Sequence, residues 1–138
     1  MLTIELMAWA YARAEASRIR FAVFVDEQGV PAELEVDEHD AGSLHALAIE
    51  DGEAVGTARL LRDGHIGRMA VLKARRGRGV GSRLLQALVQ AARMRGDERV
   101  MLSAQVHALP FYRAHGFREE GSVYQEAGIP HQAMARPL

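Results

Sequence analysis

Two Asp-Gly pairs, Asp51-Gly52 and Asp63-Gly64, separate three apolar runs, Leu44–Glu50, Glu53–Arg62 and His65–Leu72. Both residues of such a pair tolerate the positive φ of a type I′ turn, so each pair predicts a tight hairpin and together they predict a three-strand antiparallel meander. The chain then changes character. Residues 73–82, KARRGRGVGS, are basic and glycine-rich, and from Val80 to Arg95 the residues Val80, Leu84, Leu85, Leu88 and Ala92 fall on one helical face. Arg93 and Arg95 suit the negative end of the helix dipole, and Gly96 supplies a stop.

The remaining segments fit around this centre. Leu2–Ala8 reads as a strand, and Trp9–Val25 as a helix that offers Tyr11, Ala14, Phe21 and Val25 for one buried face. Asp26–Gly42 holds Gly29, Pro31 and the carboxylates Glu27, Glu33, Glu35, Asp37, Glu38 and Asp40, and reads as a mobile or functional loop. Downstream, Arg99–Gln105 is a buried strand, Ala108–His115 a short helix ended by Gly116, Phe117–Gln125 a strand, and His131–Arg136 a closing strand. The order β-α-loop-β-β-β-α-β-α-β-β is a mixed α/β architecture, and 138 residues with 49% apolar content suffice for one core. A single domain over residues 1–138 is expected.

Charge and composition narrow the partners. A formal charge of -1 gives no field suited to nucleic acid or an anionic membrane, and no basic-aromatic interleaving suggests a base-stacking surface. Trp9 and Met7 read as core or interface residues. Glu5, Arg13, Glu15 and Arg18 interrupt the N-terminal apolar residues, which excludes a membrane span there and leads to the expectation of a soluble cytoplasmic protein. Without cysteine there is no disulfide or thiolate nucleophile, and the histidines at 39, 45, 65, 107, 115 and 131 lack the spacing of a zinc motif, so no metal is expected. His107 reads either as a cofactor contact or as the start of a helix.

The glycine-rich turn carries the most chemistry. Glycines allow close backbone approach, the first N–H groups of the following helix are unpaired, and the dipole favours negative charge there. Arg75, Arg76 and Arg78 add donors for phosphate oxygens. A pyrophosphate fits, whereas a P-loop is excluded because no Gly-Lys-Ser/Thr follows, and the G-x-G-x-x-G dinucleotide spacing is absent.

Arg76-x-x-Gly79-x-Gly81 after a strand resembles the acyl-CoA signature of the GNAT N-acetyltransferases, Gln/Arg-x-x-Gly-x-Gly/Ala. Downstream, Gln105-x-x-Ala108-x-x-Phe111-Tyr112-x-x-x-Gly116-Phe117 resembles the family's second segment, with Gln105 where the family carries Asn. The outer segments RFAVFVDEQGVPAELEVDEHD and EAGIPHQAMAR are similar to the ElaA/YjcF-like branch. The resemblance implies a GNAT acyl-CoA N-acyltransferase fold with a central mixed, mostly antiparallel sheet. It also implies acetyl-CoA as co-substrate and direct acetyl transfer to an amine, carried by a small molecule or a peptide.

By the same resemblance, the main chain of Met69, Ala70 and Val71 holds the pantetheine arm. Arg76, Gly77, Arg78, Gly79, Val80, Gly81 and Ser82 hold the pyrophosphate, and Gln105, Ala108, Phe111 and Tyr112 complete the cofactor site. A backbone N–H near Val71 is expected at the oxyanion, an effect often worth ~3 kcal/mol. Tyr112 occupies the position of the general acid to the CoA thiolate, although an ordinary tyrosine pKa of ~10 exceeds a thiol pKa of ~8.5. Glu27, Glu126 and His131 are candidate bases for the amine. The acidic residues between Glu33 and Asp40 read as either a lure for a cationic acceptor or a solvated loop. An acyl-homoserine-lactone synthase and a non-catalytic acetyl-CoA sensor are the alternatives on this fold. Pairing of two copies through the C-terminal strands is possible.

Overall fold

A computed structural model describes all 138 residues. The meander forms as expected: β2 (Leu44–Glu50), β3 (Glu53–Leu60) and β4 (Ile66–Val71) pair antiparallel in that order, and β1 (Leu2–Ala8) adds antiparallel to β2. A second sheet has the order β5-β7-β6, built from β5 (Arg99–Gln105), β6 (Arg118–Glu126) and β7 (Ile129–Pro137). The two sheets meet at one parallel bridge, His65 to Met101, with Met101 N–H bonded to Gly64 O at 3.1 Å. Gly64 is required at this junction: its φ is +98°, and a Cβ there would stand 2.9 Å from Arg99 O. Beyond the junction β4 and β5 part, leaving a cleft between the sheets.

Helix α2 (Val80–Met94) buries Val80, Leu84, Leu85, Leu88, Val89 and Ala92 in one core with Val55, Leu60, Val100 and Leu102 of the two sheets and with Phe117, just before β6. Full burial of each larger aliphatic side chain contributes ~1.5–3 kcal/mol, so this helix holds the two sheets in one core. Helix α3 (Leu109–Ala114) follows a short 3-10 turn after β5. Strand β6 is the free edge of its sheet and is exposed along its whole length. No helix is long and apolar enough to cross a membrane.

Helix α1 (Trp9–Arg20) corrects the expected buried face. It buries Ala12, Ala16, Ile19 and Arg20, while Tyr11 is 81% exposed and Phe21 45% exposed. Two small alanines let the helix approach β2 and β3 closely, and the side chain that completes the face is charged, so apolar spacing misidentified it. From Phe21 to Glu27 the helix widens to a π-helical path, which shifts the phase of the side chains and turns Val23 inward.

The acidic loop is also corrected. Short 3-10 turns at Ala32–Leu34 and Asp40–Gly42 bring its carboxylates inward, where Glu35 and Asp40 are buried beside Arg20 and Arg59. Arg20 bonds the Glu35 carboxylate through Nε and Asp40 through both terminal nitrogens at 2.8 and 3.0 Å. Arg59 bonds Asp37 at 2.6 and 2.9 Å and Asp40 at 2.9 Å. Glu35, Asp37 and Asp40 are therefore neither solvated nor a free negative patch, whereas Glu33 and Glu38 of the same run stay exposed. Trp9 covers the Arg20 guanidinium at 5.3 Å and lies against the buried His45 ring.

Candidate active site

The cleft between β4 and β5 encloses about 1010 Å³ and runs from the glycine-rich turn, across β4, to the segment joining β6 and β7. Its wall on β4 contains a β-bulge: Thr57 pairs with Ala70 and Arg59 with Gly67, so Arg68 and Met69 both oppose Ala58. Leu72 N–H bonds Val55 O at 2.9 Å. Because successive strand N–H groups alternate in direction, the Val71 N–H points away from β3 and into the cleft.

At one end stands the N-terminus of α2. Gly79 caps it at φ 81°, with open space where a Cβ would lie. The N–H groups of residues 77–82 find no acceptor in the protein, while Arg83 N–H makes the first helical bond, to Gly79 O at 3.1 Å. Six adjacent free donors at a helix N-terminus make a cradle suited to an anion such as a phosphate. Among the residues expected to bind cofactor, Met69, Ala70, Val71, Arg76, Gly77, Gly79, Val80, Gly81, Ser82, Gln105, Ala108, Phe111 and Tyr112 line the cleft, and Arg78 does not.

The arginines of the turn act differently from the expected phosphate donors. Arg76 bonds Val71 O through Nε at 2.9 Å and Glu27 through both terminal nitrogens at 2.9 and 2.7 Å. Arg75 bonds Glu50 at 3.0 Å. These contacts tie Arg75 and Arg76 to their surroundings, whereas Arg78 is exposed and makes no hydrogen bond, its nearest carboxylate being Glu50 at 3.8 Å. Glu27 is correspondingly engaged: the hydrogen bond from Arg76 lowers its pKa, against a smaller opposing effect of burial, which makes it a poorer base. It does not line the cleft. The neighbouring Gln28 does, and its carbonyl accepts from Gln105 Nε2 at 2.9 Å, so the Gln105 amide meets another side chain across the cleft.

Tyr112 lies on α3 between Phe111 and Phe117, with ring centroids 5.0 and 6.0 Å away in edge-on arrangements. Gly81 makes room for this wall, since Phe111 and Met69 stand 3.6 and 3.8 Å from the position of its missing Cβ. Burial pushes the Tyr112 pKa up to about 12. Burial weakens the phenol as an acid but leaves its O–H available as a hydrogen-bond donor to a neighbouring sulfur.

His131 is buried at the opposite end. Its Nδ1 donates to Ile129 O at 2.7 Å, which leaves Nε2 of the neutral ring with a lone pair, 3.5 Å from Glu126. Tyr124 stacks on the ring at 6.2 Å and its hydroxyl bonds Ser103. Glu126 and Ser103 lie beside this ring and its stacked tyrosine, and Phe24, Leu34, Arg59 and Arg68 also line the cleft. Arg59 and Arg68 escaped sequence reasoning; the available signal was an arginine set inside an apolar strand, as in Gly56-Thr57-Ala58-Arg59-Leu60. No group of three or more metal-binding side chains is disposed to hold an ion.

The comparisons with known proteins agree with this geometry. The family model described as acetyltransferase (GNAT) domain matches residues 10–138. The chain is 40% identical to the uncharacterized N-acetyltransferase YjcF of Bacillus subtilis (strain 168) over 126 residues, covering 88% of this chain and 90% of that one. The crystal structure of Escherichia coli ElaA superposes with a TM-score of 0.88 at 32% identity, over 99% of both chains. A GNAT acetyltransferase of Elizabethkingia anophelis with acetyl-CoA bound has a TM-score of 0.75 at 18% identity, covers 99% of this chain and 98% of that one, and shares the fold. With a family match over nearly its whole length and relatives of this similarity, the chain belongs to the GNAT acetyltransferases and is an acyltransferase of that family.

Proposed function

We propose that the protein transfers acetyl from acetyl-CoA directly to an amine, and the observation that carries this reading is the row of free N–H donors at residues 77–82 opening onto a cleft that contains Tyr112. Acetyl-CoA supplies the activated acyl group as a thioester. The Val71 N–H is directed into the cleft, where it can hydrogen-bond the acyl oxygen as negative charge develops on it. Tyr112 donates a hydrogen bond to the departing sulfur, a role that its raised pKa favours over outright proton transfer. His131 accepts the amine proton at Nε2, and the Ile129 carbonyl holds the ring in the tautomer this requires. Glu27 is assigned the positioning of Arg76 in place of the basic role. The exposed edge of β6 leaves a surface on which two copies can pair.

The test is mass-spectrometric product analysis alongside CoA release, across amines, amino acids, polyamines, aminoglycosides and lysine peptides. An N-acetylated product formed in step with CoA supports the reading. A lactone product would support the homoserine-lactone alternative, and acetyl-CoA binding without turnover across the panel would favour a sensor.

A further inference from the structure

The acceptor end of the cleft has an unusual wall. Arg68 lies in the β4 bulge at φ 48°, in the left-handed region that costs a non-glycine residue about 1–3 kcal/mol. Three of its donor contacts are fixed: Nε to Glu35 O at 3.2 Å, and Nη2 to Leu34 O at 3.2 Å and Asp37 at 3.1 Å. Its Nη1 bonds nothing, and the side chain is 29% exposed to the cleft. Behind it Arg59, whose residue exposure is 6%, also lines the cleft and has a buried Nε with no partner. Buried guanidinium nitrogens are rarely left unpaired, because each orphaned charged donor is costly.

The carboxylates nearby do not answer this demand. Glu35 and Asp40 are committed to Arg20 and Arg59, and Asp37 already bridges Arg59 and Arg68. Arg68 shares Asp37 with Arg59 and has no carboxylate of its own, so its Nη1 faces the cleft without a partner. Across the cleft, the one acidic side chain of the β6–β7 end that lines it is Glu126, beside His131. The cleft lining thus carries both signs: a cation held on β4 by Glu35, Leu34 and Asp37, and on the β6–β7 segments a histidine beside a carboxylate.

We propose that Arg68, backed by Arg59, forms an anchoring subsite for a carboxylate on the acceptor, whose amine faces His131. The substrate class is an aminocarboxylic acid, not a polycation. A planar guanidinium with one edge fixed by main-chain carbonyls and its remaining nitrogen free suits a carboxylate oxygen, and an ammonium would be repelled from it. This deepens the acetyltransferase reading and rests on it for the orientation of the amine.

The test separates the two. N-acetylated amino acids and their C-terminal amides are titrated into CoA-saturated protein by ligand-observed NMR, with Arg68→Gln and Arg68→Lys alongside. The acids are expected to bind at least tenfold more tightly than the amides, with that ratio falling to about one in Arg68→Gln and to an intermediate value in Arg68→Lys. A ratio near one in the unaltered protein, absence of acid binding, or the same ratio in all three proteins would overturn the subsite. Acetyl-CoA turnover is read separately with free amino acids and their amides. Turnover without preference for the free acid removes the subsite alone, whereas acid-selective binding without any turnover removes the transferase reading and leaves the subsite standing.

Discussion

The two ends of the cleft hold polar groups in opposite ways. At the cofactor end, the backbone donors of residues 77–82 are free and open to a ligand. On the wall beside α1, Arg20, Arg59 and Arg68 meet Glu35, Asp37 and Asp40 in a network that is buried at Arg20, Arg59, Glu35 and Asp40 and open to the cleft at Arg68. The first arrangement, which we propose serves cofactor binding, contributes little to folding. The second fixes the loop that shapes the acceptor wall, and its removal should be felt first in stability.

The largest effect is therefore expected from Arg20→Ala, which leaves Glu35 and Asp40 buried without their principal cation. A loss of about 3–5 kcal/mol in denaturant unfolding follows, enough to make the variant poorly soluble. A loss below 1 kcal/mol would mean that the network is solvated. Gly79→Glu acts at the other end, where the strain of a side chain at φ 81° is modest and a carboxylate faces the phosphates. Acetyl-CoA affinity should fall by roughly 100-fold or more while the unfolding free energy drops by only about 1–2 kcal/mol. Equal losses in both measurements would blur the distinction between the two regions.

Tyr112→Phe tests the donor role. Loss of one hydrogen bond to a charged sulfur corresponds to about 1.5–3 kcal/mol, or a fall in kcat of roughly 10- to 150-fold with acetyl-CoA affinity little changed. Spectroscopic titration should find one of the three tyrosines ionising near pH 12. A Tyr112 that titrates below pH 9 would restore the general-acid role.

The pH dependence of stability reports on the network. Burial tends to raise the Asp37 pKa, but the hydrogen bond and charge of Arg59, with Arg68, outweigh it and hold the pKa at about 2. A carboxylate whose pKa is depressed by folding contributes stability above its unfolded value, and that contribution is lost as pH falls through the folded value. Roughly 2 kcal/mol should disappear between about pH 4 and pH 2, and Asp37→Asn should remove this part of the slope. The smallest effect is expected from Glu27→Gln: its half-exposed pair with Arg76 is worth less than about 1 kcal/mol. A 100-fold fall in kcat there, with affinity intact, would return Glu27 to the role of base.

The same contrast explains what the sequence disclosed. The meander, α2 and the cradle were legible because turn chemistry and helical spacing act locally: Asp51-Gly52, Asp63-Gly64 and Gly79 each specify their own backbone. The line from Gln105 to Phe117 brought Tyr112 to the cleft for a similar reason, since a short turn and one short helix fix its direction. The burial of Arg20 and Arg59 was not legible. Their carboxylate partners lie up to 22 residues away, and apolar periodicity assigns a charged residue to the surface. The bulge that holds Arg68 in the cleft wall arises from pairing between β3 and β4, which no local signal in Ile66–Val71 announces.

Calorimetric titration of acetyl-CoA into the unaltered protein and Gly79→Glu tests the central claim most directly. The account predicts a single saturable site in the unaltered protein that is lost in a variant still folded by circular dichroism. Absence of binding to the unaltered protein, or equal binding to both, would contradict the assignment of residues 77–82 as the cofactor cradle.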